Sequence, residues 1–447
     1  MTGGIAALVS RRAHEAPGDV AIVQGRTGRV LTWQALAAGL HRRASARGPV
    51  ILREPDPLAF ISSYLGLLAA GAVVVPVDPQ APEAELDGLA DTFGAADPGS
   101  VVLRTSGTTG VPKGVPLDEA HLLHAAALVA GHHRLSRADT MYSPLPLFHV
   151  NAQVVGVLAC LVSGARLVVE DRFHRHGFWD VVETHRVTVL NVVPAIIAIL
   201  AEEPAPAAAT AERIRFARSA SAPMPVATAE RFERATGVGI LETYGMTEAA
   251  GQICANPLEA AARRPGSVGR PVGIELRIVD DGGAPCPPGA VGRVEIRGPT
   301  VASHYLVAGT PARRVPALDP HGWLRTGDVG SVEDDGFVVL MGRVDGVINR
   351  GGEKIYPREV EEVLRRHAGV AQAAVVGEAD PILGERPVAF VVARDVAAAE
   401  GLVAELVALC DRELSRPRRP ARIELIERLP ATATGKVPAD ALRALVL

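Results

Sequence analysis

Cysteine is scarce in this 447-residue chain: Cys160, Cys254, Cys286 and Cys410 lie far apart, with no CxxC pair. That spacing excludes a disulfide framework and a thiolate metal site, and points to a reducing cytoplasm. A surplus of either charge is also missing. Lys+Arg 46 against Asp+Glu 50 leaves a net charge of −4, too little positive charge to neutralise a nucleic-acid backbone or an anionic membrane. The N-terminal apolar patch is followed, not preceded, by basic residues, the reverse of a secretory signal. One uncharged stretch, 57–77, approaches the length of a membrane span, but Ala70-Gly71 divides it. The helix formers before that point and the β-branched run after it predict a buried helix feeding a buried strand. No repeat of fixed period is present.

What remains is an ordinary globular composition, 48% hydrophobic and 21% charged, long enough for two or three domains. The runs VVVPV (73–77), VVLRT (101–105), ARLVVE (165–170) and VTVLNVV (187–193) alternate with Ala- and Leu-rich segments. This predicts an α/β fold of layered sheets and helices with mostly parallel strands. From about 270 to 343, shorter alternating strands with Gly/Pro turns predict a β-rich subdomain. Beyond it, REVEEVLRRH, RPVAFVVA and a long helix near 396–414 predict a small α+β module. The predicted division is 1–343 and 344–447, and the Ala/Pro tract at 202–212 reads as a surface loop.

The segment VVLRTSGTTGVPKGV (101–115) is a strand followed by glycines, hydroxyls and a lysine, which together can cradle phosphate. It is not a Walker A motif, because Pro112 and Gly114 flank Lys113. Taken alone, GTTG is read more simply as a solvated Gly/Thr/Ser turn; the ten matched positions around it favour the phosphate reading. TSGTTGVPKGV resembles the signature of the adenylate-forming superfamily, which includes acyl-CoA synthetases, aryl-CoA ligases, luciferases and peptide-synthetase adenylation domains. PLFHV (146–150), SASAPM (219–224), YGMTE (244–248), GWLRTGD (322–328), GRVDGVINRGGEKIYPREVEEVL (342–364) and LPATATGK (429–436) follow in the family's order.

The resemblance implies ATP, Mg²⁺ and coenzyme A as reactants, with a mobile C-terminal domain. Thr105, Ser106, Gly107, Thr108, Thr109, Gly110 and Lys113 would grip the β- and γ-phosphates. Glu248 would help hold Mg²⁺, and Thr247 would donate to the α-phosphate. Tyr244 would lie against adenine, and Ala222, Pro223, Glu242 and Thr243 would complete the nucleotide contacts. Asp328 and Arg343 would serve the ribose, Asp345 would be the hinge, and Lys436 the catalytic lysine of one domain orientation. Gly351 and Gly352 would line a pantetheine passage, and His149 would stand beside the acyl group. Without the resemblance, YGMTE is a strand-to-turn core segment, Asp328 and Arg343 a surface ion pair, Lys436 a solvated lysine, His149 a packing residue and Gly351-Gly352 a turn before the helix at Pro357.

Ala220 and Ser221 replace two glycines of the common SGGAP pattern, which narrows the acyl pocket toward a small or polar acid; the wording of SASAP is nearest the oxalate–CoA ligase branch. Two departures bear on the acceptor and the pocket: the region before Thr105 is short, and VPADALRALVL after Lys436 lacks a basic pair. The expected activity is acid activation as acyl-AMP followed by transfer to coenzyme A. A carrier-protein acceptor and a non-catalytic nucleotide-binding protein are the alternatives.

Overall fold

The computed structural model describes residues 4–41, 49–105, 113–307, 313–395, 400–430, 437 and 439–445. A nine-stranded sheet forms the centre, in the order Arg270–Pro271, Gly251–Ala255, Ile240–Met246, Phe216–Ser219, Val189–Val192, Thr140–Ser143, Arg166–Val169, Val20–Gln24, Val30–Thr32. Its interior pairs are parallel and its margins antiparallel. The strands Thr140–Ser143, Val189–Val192 and Phe216–Ser219 are buried at every position, as expected of parallel strands covered on both faces.

A six-stranded sheet lies beside it: Pro49–Leu52, Val73–Pro76 and Ser100–Thr105 run parallel, then Lys113–Asp118, His304–Val307 and Arg313–Pro316 continue antiparallel. The uncharged stretch is the crossover between its first two strands. Asp56 caps the helix Pro57–Ala69 by accepting from the Ala59 N–H at 2.8 Å, and the turn at Gly71 leads into Val73–Pro76. Its Ile61 and Leu65 join Val74, Val101 and Leu103 of this sheet and Ile22, Leu167 and Val189 of the central one in a single apolar cluster. The alternate residues Val73, Val75 and Val102 face the other way and pack with Phe93 and Leu306, the period-two pattern of a strand. Among the described residues, no helix is long and apolar enough to cross a membrane.

A four-stranded antiparallel sheet, Glu275–Val279, Gly292–Arg297, Leu324–Val332 and Val338–Arg343, forms the β-rich part. The span 270–343 does not stay in it, however. The hairpin His304–Val307/Arg313–Pro316 leaves to pair with Lys113–Asp118, Leu306 opposite Gly114, because fully buried Leu306 fills the Phe93 cluster at that edge.

The smaller C-terminal domain has its own sheet and its own core of Ile348, Ile355, Val360, Leu364, Val391, Leu406 and neighbours. Its two longer helices are Pro357–Arg365 and Leu402–Glu413, and a short one, Ala439–Arg443, follows. Leu402–Glu413 is shorter than the 396–414 expectation: Gly401, at φ +86°, precedes it, and 396–399 lie outside the described residues. The 202–212 loop reading is corrected too, since Ala208–Arg213 is helical with Thr210 buried; an alanine run helps to close one turn wherever one side finds a core.

Candidate functional site

The hairpin Ser100–Thr105/Lys113–Asp118 brings Thr105 opposite Lys113, so both stems of the Gly/Thr loop are fixed; Ser106, Gly107, Thr108, Thr109 and Gly110 lie outside the described residues. The strand His304–Val307 pairs on the far side of Lys113–Asp118. Its Tyr305 ring stands 5.2 Å from the Lys113 ammonium, and its hydroxyl donates to Glu248 Oε1 at 3.3 Å. Glu248 occupies a single helical turn, Thr247–Ala249, at the end of the strand Ile240–Met246. Burial raises its carboxyl above the ordinary range, with Arg343 pulling the other way.

Earlier in the same strand, buried Tyr244 donates its hydroxyl to Asp328. Asp328 stands opposite Arg343 in the antiparallel register and accepts from its guanidinium at 3.3 Å. Arg343 also donates to the Thr326 carbonyl at 3.0 Å and lies 3.7 Å from Asp345. Five of the residues singled out in the sequence therefore fall, together with Tyr305, into two linked chains, Lys113–Tyr305–Glu248 and Tyr244–Asp328–Arg343, joined through five residues of backbone. Gly245 makes this possible. A Cβ there would meet the Gly251 carbonyl oxygen at 1.8 Å, where the ladder with Gly251–Ala255 is irregular.

Thr243 is buried and donates to the Ser219 carbonyl at 3.2 Å. Glu242 is 7% exposed, its Oε1 has no partner, and burial pushes its carboxyl up to about 7 against the pull of Arg358. Ala222 is half-buried and Pro223 exposed, just past Phe216–Ser219. Ser221 has φ +74°, a left-handed conformation that suits the glycine it replaces. His149 follows Thr140–Ser143, three strands from Tyr244, with its ring 4.4 Å from that of Phe148. Gly351 and Gly352, at φ +59° and +90°, form the two-residue turn between Ile348–Arg350 and Glu353–Ile355, which glycine favours. Lys354 beyond them bonds Asp281 of the four-stranded sheet's turn at 2.8 Å. Asp345 lies in the turn Val344–Gly346, and its carbonyl accepts from Arg443 at 3.1 Å. Lys436 lies outside the described residues.

Two residues of the site carried no motif. Tyr305 sits in HYLV, an unremarkable strand in sequence. Arg218, fully buried in Phe216–Ser219, directly precedes the SASAPM segment. It carried no local signal, since Arg213 and Arg215 precede it in ERIRFARSAS and nothing in the sequence sets it apart from them.

A doubly wound parallel sheet that gathers its polar side chains at the carboxyl ends of the strands is a ligand-binding α/β architecture. The chain belongs to the AMP-binding enzyme family. The family model matches residues 90–306, and that of the AMP-binding enzyme C-terminal domain matches 359–436. The sulfoacetate–CoA ligase of Cupriavidus necator is 39% identical over 414 residues, covering 91% of this chain and 76% of the relative. The oxalate–CoA ligase of Arabidopsis thaliana is 36% identical over 359 residues, 79% of this chain and 68% of the relative. Among solved structures, an ATP-bound RpMatB–BxBclM chimera aligns with a TM-score of 0.89 at 25% identity over 100% of this chain and 99% of its own. The o-succinylbenzoate coenzyme A synthetase of Bacillus subtilis in complex with its acyl-adenylate intermediate aligns with a TM-score of 0.83 at 26% identity, over 98% and 97%.

The geometry yields two expected outcomes. Glu242 holds its proton more tightly folded than unfolded, so its contribution to stability is complete below about pH 4.5 and is lost as pH rises to about 7. Glu242→Gln should be more stable than the parent by about 1–3 kcal/mol above pH 7 and equal to it near pH 4, read by urea unfolding across pH; equal stability at pH 8 contradicts the burial argument. Gly245→Ala should cost about 1–3 kcal/mol through overpacking and weaken nucleotide binding by displacing Thr247 and Glu248, measured by urea midpoint and ATP titration.

Proposed function

We propose that this chain is an ATP-dependent acid–CoA ligase. The carboxylate oxygen of a small or polar acid bonds to the α-phosphorus of ATP as the bond to pyrophosphate breaks; the coenzyme A thiolate then bonds to the acyl carbon as the bond to AMP breaks. One observation carries the reading: segments near residues 105–113, 244–248, 305 and 328–343 meet in one set of contacts.

Lys113 places a point charge beside the phosphate loop, and Tyr305 orients the Glu248 carboxylate by hydrogen bonding. Glu248 is a half-buried oxygen donor whose ionisation is disfavoured, and with the Thr247 hydroxyl and phosphate oxygens it would make the hard donor set that Mg²⁺ requires. Mg²⁺ bound there would neutralise charge on the phosphates. The Asp328 carboxylate, held by Tyr244 and Arg343, is preset to accept from the ribose hydroxyls, and preset geometry lowers the ordering cost of an in-line displacement.

The division at 343/344 sets Arg343 on the large domain and Asp345 on the linker, where a hinge would let the small domain present Lys436 for adenylation and the Gly351-Gly352 turn for thiol entry. Sulfoacetate and oxalate, named for the two relatives, are both short acids with a second anionic group, in keeping with a pocket narrowed by Ala220 and Ser221.

A pyrophosphate-release assay with short acids, ATP, Mg²⁺ and free coenzyme A tests this. Saturable release with thioester formation is expected, whereas activity only with a holo carrier protein would overturn the coenzyme A acceptor. Lys436→Ala should lower acyl-AMP formation by at least about 100-fold while thioester formation from supplied acyl-AMP persists; near-normal adenylation by that variant removes Lys436 from the proposed mechanism.

A further inference from the structure

Arg218 is 2% exposed in the middle of a parallel sheet, and no described carboxylate lies within ion-pair distance of it. Its hydrogen-bond partners are neutral. Nη1 donates to Asn151 Oδ1 at 3.1 Å and to Asn191 Oδ1 at 3.0 Å, while Nε is buried without an acceptor. Asn191 in turn donates to Ser143 at 3.1 Å, and Asn151 to the Ser221 hydroxyl at 3.3 Å.

Arg218 pairs in register with Asn191. With Ser143 on the next strand, they form a polar row across three adjacent, fully buried strands. A buried guanidinium without a counter-charge is strongly unfavourable unless something else supplies the negative charge. The adjacent His132 and His133 cannot, since an imidazole is neutral or cationic, and burial and the charge of Arg218 push both toward the neutral form. Burial likewise lowers the Arg218 guanidinium, to about 9.

Two features place this row at a ligand site. Asn151 opens the π-helical segment Asn151–Leu158, a rare geometry that recurs at functional sites. Ser221, bonded to Asn151, adopts the left-handed backbone, strain that a functional constraint can maintain. The row also stands near the proposed chemistry. Arg218 is opposite Leu241, and Tyr244 is three residues further along that strand. At about 3.3 Å per residue and 4.8 Å between strands, their Cα atoms are roughly 11 Å apart, a gap that an arginine side chain and a two- or three-carbon acid fill together.

We propose that Arg218, braced by Asn151 and Asn191, receives the distal anionic group, carboxylate or sulfonate, of a short acid whose other carboxylate is adenylated. The free Nε edge of its fork suits side-on pairing with such a group. Arg218 is thus a specificity-determining residue that selects doubly charged short acids over singly charged ones of similar length. This rests on the acid–CoA ligase reading and names its substrate class.

The test measures pyrophosphate release by the full chain with oxalate, malonate and sulfoacetate against acetate and propionate. The parent enzyme should favour at least one doubly charged acid over its singly charged counterpart by at least about tenfold in kcat/KM. Arg218→Met, which keeps the length and loses the charge, should lower kcat/KM for that acid by about 10²–10⁴-fold, chiefly through KM, and leave the monocarboxylates unchanged or improved. Should Arg218→Met not fold, Arg218→Lys carries the test: KM for the doubly charged acid must rise at least about tenfold with monocarboxylate turnover intact.

Equal losses for both kinds of acid would make Arg218 merely structural, and an unchanged preference in the folded variant, or a parent that prefers monocarboxylates, would overturn the proposal. In those cases turnover of some acid with free coenzyme A leaves the ligase reading standing. Pyrophosphate release from no acid at all, over a panel that also includes aryl and medium-chain acids, fails that reading instead.

Discussion

Asp328 is the point on which the site's geometry depends. It lies on the four-stranded sheet, accepts the hydroxyl of Tyr244 from the central sheet, and stands opposite Arg343, the last residue of its neighbouring strand. One half-buried carboxylate therefore ties the central sheet to the β-rich part and to the start of the linker. The Tyr244 hydroxyl, deep in the core, is driven further from ionisation by that carboxylate and remains a donor. Moving Asp328 would unseat an aromatic residue on one side and a guanidinium on the other, so its position is constrained more strongly than one ion pair at the surface could achieve.

A second theme is charge held without its complement. Glu248 and Glu242 are carboxyls whose ionisation burial disfavours, and Arg218 is a cation among amides. Such groups weaken a fold by themselves. Their concentration along the carboxyl ends of the parallel strands follows the usual placement of ligand sites in this architecture. The apolar cluster uniting both large sheets with the helix Pro57–Ala69 supplies the stability that tolerates them.

Much of this was legible in the sequence, for identifiable reasons. The stretch 57–77 resolved into helix and strand because Gly71 and the valine run punctuate it, and the parallel strands declared themselves as unbroken apolar runs. Tyr244, Glu248, Asp328 and Arg343 stood in recognisable motifs. Tyr305 did not, because its importance comes from the pairing of His304–Val307 with a strand almost two hundred residues earlier, and no local pattern encodes that. The excursion of residues 304–316 out of the β-rich span was hidden for the same reason. Arg218 was passed over because an arginine in a strand ordinarily reaches solvent, and only burial distinguishes it. The π-helical segment leaves no periodic signature distinct from an α-helix over eight residues.

The contacts of Arg358 bear on how the small domain can move. From the helix Pro357–Arg365 its guanidinium reaches the Leu340 carbonyl at 2.6 Å and the Gly266 carbonyl at 3.4 Å, both on the large domain, while Lys354 grips Asp281. Arg394 of the small domain also bonds Glu202 of the large one. Were Asp345 the hinge, rotation would have to release neutral acceptors and two exposed anions together. Added salt screens only the ion pairs, leaving a dipolar clasp whose strength is almost independent of the medium, so raised ionic strength would loosen the resting orientation without abolishing it.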